Sequence, residues 1–107
     1  MTREHLAQRL FEMRIPQQCV AALTGISLPT VSRWFRQLAT LPDAKEDLIF
    51  LFGEALLLFA DETNVPVDWS KTDRLRPIIA ERVAALRSER SRKLRDEFLR
   101  AGQSPAA

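Results

Sequence analysis

The sequence predicts an all-α protein of about five helices, and three observations carry that expectation. Among 107 residues only three are glycine and none is tyrosine. The bulk is Leu, Ala, Arg and Glu, which lose little rotamer freedom on entering a helix. Apolar residues recur at spacings of three and four rather than alternating, and β-branched runs are few. Hydrophobic residues make up 46% of the chain and charged residues 28%. That is enough apolar material for one domain, or a small domain with an appended element.

The elements follow in order. Residues 3–14 set Leu6, Leu10 and Met13 on one face, with Ala7 and Phe11 beside it and Thr2 as a candidate N-cap. Ile15-Pro16 ends that helix, because proline drives the preceding residue out of the α region. Pro16 can then open a second helix, running to about Thr24. Gly25 stops it in the way a glycine just past a helix end commonly does. Ser27 suits the N-cap of a third helix, with Pro29 in its first turn, continuing to about Ala39. Asp43 with Glu46 resembles a capping box opening a fourth helix over about 44–62. "NVPVDWSKTD" is a loop with Trp69 turned back onto the core. Asp68, Ser70, Thr72 and Asp73 are competing caps for a last helix that runs to about Arg100, with Pro77 inside it or at its start and breaking or kinking it near Arg76.

The fourth helix is the most apolar part of the chain. Ten of the twelve residues from Leu48 to Phe59 are hydrophobic, interrupted only by Gly53 and Glu54. A helix apolar all round must be buried all round, and a chain this short is not expected to enclose it alone. The sequence therefore predicts a head at 1–41, a helical dimerisation region at 42–101 and a disordered tail at 102–107. Phe50, Leu51, Leu57, Leu58, Ile79, Val83 and Leu86 are the expected dimer-interface residues. Glu54 reads as a buried specificity device, as half of an ion pair across an interface, or as a side chain reaching solvent.

Charge is unevenly placed behind a net +2. Residues 1–41 carry five arginines against two glutamates, 42–70 carry one lysine against seven acids, and 71–107 carry ten bases against five acids. Two basic segments flanking an acidic one suggest a surface facing a polyanion, although solvated helix faces give the same pattern. Cys19 is the only cysteine, which excludes an intrachain disulfide and points to a reducing, cytoplasmic setting. "MTREHLAQRL" reads as a charged amphipathic helix rather than a secretory leader. The apolar run is shorter than the roughly 20 residues of a membrane span. One histidine and one cysteine supply no zinc ligand set, and the carboxylates show no paired spacing for acid–base work. No enzyme, cofactor, metal, membrane or small-molecule partner is expected.

The chemistry-bearing stretch is "QQCVAALTGISLPTVSRWFR", Gln17 to Arg36. Two short helices meeting at a steep angle need a small residue at their closest approach, a glycine in the turn and apolar residues to lock them. Ala21, Gly25, and Val20, Ile26, Val31 and Trp34 meet those needs, with Leu23 assisting. Pro29, Thr30, Ser32, Arg33 and Arg36 are left facing outward. These twenty residues resemble the helix-turn-helix of phage and bacterial regulators of the lambda-repressor/Cro type, with one departure: Thr24 stands where the family prefers an aliphatic residue. Residues 42–107 resemble no family.

The resemblance implies a recognition helix, Leu28 to Gln37, entering the DNA major groove with its N-terminal residues nearest the bases. Ser27, Leu28, Pro29 and Thr30 would then lie at bases or adjacent phosphates. Arg33 would read a guanine, Ser32 a base edge or phosphate, and Arg36 a phosphate. Gln17 would anchor a phosphate at the start of the second helix. The expected function is sequence-specific binding of double-stranded DNA by a homodimeric transcriptional regulator on a palindromic operator. Two alternatives stay open: a helical protein-interaction adaptor, and a DNA-binding accessory to replication, partition or recombination. The basic stretch Arg87 to Arg100 reads either as a solvated helix end or as a further phosphate- or partner-binding arm.

Overall fold

The chain folds from Thr2, whose hydroxyl accepts the His5 amide at 3.1 Å and caps α1 (Arg3–Glu12). The computed structural model describes residues 1–102, and these form five helices and no strand. The others are α2 (Gln17–Thr24), α3 (Leu28–Phe35), α4 (Asp43–Glu62) and α5 (Thr72–Gly102). The tail expected at 102–107 lies outside the described residues, apart from Gly102, which ends α5.

Two of the helix ends share one device. At the end of α1 the Arg14 amide donates to Phe11 O at 3.0 Å and the Ile15 amide to Leu10 O at 2.9 Å. At the end of α3 the Gln37 amide donates to Trp34 O at 3.0 Å and the Leu38 amide to Arg33 O at 2.8 Å. This is the paired bonding of a Schellman stop, which needs a left-handed residue just past the helix. Arg14 (φ 59) and Gln37 (φ 63) fill that position without being glycine, at a steric cost of about 1–2 kcal/mol each. Arg14→Gly is therefore expected to stabilise the fold by about 0.5–1 kcal/mol, less than the relieved strain because glycine frees the unfolded chain. A urea titration reads it as a higher midpoint at unchanged slope; a lower midpoint would mean that Arg14's side chain holds the α1–α2 corner.

Several boundaries differ from the sequence reading. Pro16 is the N-cap of α2 rather than its first residue. α3 ends at Phe35, four residues before the expected Ala39, at the left-handed stop just described. Pro42 precedes α4 with no side-chain cap, so the expected Asp43–Glu46 capping box does not form. The Glu46 carboxylate instead accepts the Trp34 indole N–H at 3.1 Å. α5 begins at Thr72, one of the competing caps, and runs through Pro77, which lies inside the helix.

α4 is the central helix. It packs against α1, α2 and α5, and one apolar cluster runs from Leu6 through Val20, Trp34, Ile49 and Leu56 to Ile79 and Val83. This cluster takes side chains from both sides of residue 42. Gly53 makes the closest approach possible: a Cβ there would lie 2.8 Å from Leu6 Cδ1. Much of the α4 surface is thereby covered within the protomer, with Leu58 exposed and Phe50, Phe52 and Phe59 half-buried. Leu51, Leu57, Ile79 and Val83, expected at a dimer interface, are buried in the protomer's own core. Phe50 is half-buried edge-on to Trp34, and Leu86 is half-buried against the same cluster. Of the seven, only Leu58 stands exposed, at 41%. Glu54 meets Arg90 of its own chain at 3.2 Å.

α5 gives the molecule its length. Its first half lies on the core through Leu75, Ile79 and Val83, whereas every residue from Arg87 to Ala101 is exposed. The radius of gyration is 16.2 Å, against about 13 Å for a rounded domain of this size.

Candidate nucleic-acid interface

The turn between α2 and α3 is built from three residues, each with its own reason. Gly25 takes φ 77 and ψ 8 at the end of α2, and its amide donates to Ala21 O at 3.0 Å. No atom lies within 4 Å of where its Cβ would be, so the backbone angle alone calls for glycine. Thr24 donates its hydroxyl to Val20 O at 2.8 Å and accepts the Ile26 amide at 3.3 Å. The polar residue at this position thus closes the turn, while Leu23 takes the buried place. Ser27 caps α3, its Oγ accepting the Thr30 amide at 3.4 Å and lying 2.7 Å from the Thr30 hydroxyl. Ser27→Ala is expected to cost about 1 kcal/mol. Thermal unfolding measures it, and an unchanged midpoint would assign the start of α3 to Pro29 and packing alone.

α3 is divided cleanly between two faces. Val31, Trp34 and Phe35 are buried, and Trp34 is the largest fully buried side chain. Its ring meets Phe35 edge-on at 5.1 Å and Phe50 at 5.4 Å. The Arg3 guanidinium lies 4.9 Å above it and donates to the Trp34 carbonyl at 3.1 Å. On the other face Pro29, Arg33 and Arg36 are exposed, Leu28 is about one-third exposed at 37%, and Thr30 and Ser32 are half-exposed. Spacings of four and three set Pro29, Arg33 and Arg36 along one outward row. Arg36 caps the helix rather than lying within it. Gln17, half-buried, stands at the far end of α2 from the turn. It borders a recess of about 190 Å³ with Ala7, Leu10, Phe11, Ile15, Pro16 and Phe35.

Ion pairing sorts the five arginines of residues 1–41. Arg9 pairs with Glu12 at 3.4 Å and Asp61 at 3.6 Å, and Arg3 is held on Trp34. Arg33, Arg36 and Arg14 make no ion pair among the described residues. Arg14 was not singled out from the sequence. Its exposed place in the α1–α2 corner, beside the N-terminal end of α2, adds a third free cation. The signal available was its position two residues before Pro16, where a chain reversal was already expected. Part of this arrangement has a purely structural use, since Arg33 and Arg36 lie at the negative end of the α3 dipole.

No family model, curated protein or solved structure matches the chain. The site rests on its own geometry.

The other chemical groups lend themselves to little. Burial pushes the Cys19 thiol up from its ordinary value, partly offset by a hydrogen bond with Thr72, which keeps it the inert thiol rather than the reactive thiolate. No group of three or more potential metal ligands occurs among the described residues. No helix among them is long and apolar enough to cross a membrane.

Proposed function

We propose that this chain is a sequence-specific double-stranded DNA-binding protein, a transcriptional regulator of the phage or bacterial helix-turn-helix kind that acts as a dimer on a palindromic operator. The observation that carries the reading is the division of α3: Val31, Trp34 and Phe35 fix the helix to the core while Arg33 and Arg36 face outward, without ion-pair partners among the described residues. The exposed guanidinium in the last turn of α3 can bond guanine O6 and N7 together, and the one at the helix cap can meet a phosphate. Pro29 and Leu28 present an apolar start to the helix, suited to contact with a thymine methyl. Ser27 has its hydroxyl engaged with Thr30, which suits it to holding the helix start rather than reading a base.

Selection of bound fragments from random duplex DNA, followed by binding across a salt series, tests the proposal. Enrichment of a two-fold-symmetric site, with affinity falling steeply as salt rises, is the expected result, since neutralised phosphates release counterions. Recovery of unenriched DNA, or affinity insensitive to salt, would reject it.

A further inference from the structure

The distal half of α5 is a helix with almost nothing to lean on. Beyond Leu86 its one tie to the rest of the chain among the described residues is Arg90 to Glu54. About sixteen residues of helix standing alone in water are marginal, and this segment also exposes Leu94 at 66% and Phe98 at 77%. These two belong to a longer pattern. Ala80, Ala84, Arg87, Ser91, Leu94 and Phe98 follow one another at spacings of four, three, four, three and four, and all are exposed. That alternation is the spacing of a two-stranded coiled-coil seam, apolar at Ala80, Ala84, Leu94 and Phe98 and polar at Arg87 and Ser91 in its middle. It runs on a different face from Leu75, Ile79 and Val83, which are buried on the core.

We infer that this seam binds the same seam of a second copy, antiparallel. The size pattern selects both partner and direction. Small residues occupy the anchored end and large ones the free end, so reversing one helix against the other sets Phe98 of one copy on Ala80 of the other. The same register sets Leu94 on Ala84 and Arg87 beside Ser91, each pair occurring twice by symmetry. Charge agrees with that register, because Arg95 falls opposite Glu81 of the other copy. Arg90, which faces its own counterpart near the axis, is already paired with Glu54. A bare polyanion has no use for Leu94 and Phe98, which argues for a protein surface over DNA.

This deepens the proposed function by naming what joins the two heads, and depends on it only for one consequence. In this register Ile79 of each copy, at the core-bound part of α5, lies about 30 Å along the axis from its counterpart, at 1.5 Å per residue. Half-sites on successive turns of DNA are about 34 Å apart.

Sedimentation equilibrium of the full chain without DNA is the test. The expected mass is twice 12.2 kDa, and Leu94→Glu with Phe98→Glu should give a monomer whose helical circular dichroism at the core is retained. Arg95→Glu should weaken the dimer about tenfold, a loss reversed when Glu81→Arg is added. Ser88→Cys, which adjoins its counterpart only in the antiparallel pair, should cross-link on oxidation. A monomer at about 100 µM, a dimer indifferent to Leu94 and Phe98, or cross-linking through Leu94→Cys in place of Ser88→Cys overturns the inference. A dimer meeting these criteria that ignores DNA sinks only the DNA-binding proposal, and a monomer that binds DNA sinks this inference and the dimer of that proposal while leaving its DNA binding.

Discussion

Truncating Trp34 to alanine is expected to remove about 3–5 kcal/mol of stability, the range for emptying a large buried aromatic. For a domain whose whole margin is about 5–15 kcal/mol, that leaves little or nothing. The size of the effect follows from what the side chain joins. The backbones of α3 and α4 do not approach closely, so the Trp34 ring bridges them through Phe50 and through its N–H to Glu46. It also carries the Arg3 guanidinium of α1. Removing it leaves a cavity, frees Glu46 and releases α3 from two neighbours at once. Trp34→Phe separates these contributions: it keeps most of the apolar volume and loses the hydrogen bond, and should cost about 1–2 kcal/mol. Urea unfolding followed by far-ultraviolet circular dichroism measures both. If alanine costs less than about 1 kcal/mol, α3 is held by something other than this ring, and the division of its faces loses its foundation.

That division was legible because its causes are local. Gly25, Ser27 and Pro29 each act on the backbone within a residue or two of themselves, and the inward places of Val31 and Trp34 follow from helical spacing, which leaves Phe35 open. The all-α class was legible for the same reason. What the sequence concealed lies in tertiary partners. Nothing in the run Leu48 to Phe59 distinguishes a helix covered by its own chain from one covered by a second copy; the answer depended on α5 starting at Thr72 and lying along α4. Glu46 was misassigned because a carboxylate three residues into a helix fits a capping box equally well, and the Trp34 indole that claims it is twelve residues away. The early end of α3 was hidden because Gln37, with no glycine's freedom, still takes the left-handed turn once two carbonyls of α3 accept its amide and that of Leu38. Arg33 and Arg36 look alike in sequence, and only the end of the helix between them, at Phe35, gives them different places.

That difference supplies the most discriminating prediction about function. On the proposed reading Arg33→Ala removes a base contact worth about 1–3 kcal/mol of discrimination, or roughly 5–150-fold. The variant should keep much of its affinity for unrelated duplexes while losing preference at one symmetric pair of positions. Arg36, at the helix cap, is placed for phosphate, so Arg36→Ala should weaken every sequence alike and make the salt dependence shallower by about one counterion per subunit. Neither substitution is expected to unfold the chain, since both side chains are exposed and make no ion pair among the described residues. The two arginines also favour the α3 C-terminus by up to about 1 kcal/mol each, so unfolding must be measured beside binding to subtract any shared loss of helix. Competition binding on duplexes randomised one position at a time then reads the two variants directly. Equal losses across all sequences for both would leave α3 a charged surface without readout, whereas a sequence-dependent loss from Arg36→Ala alone would mean that the helix enters the groove by its other end.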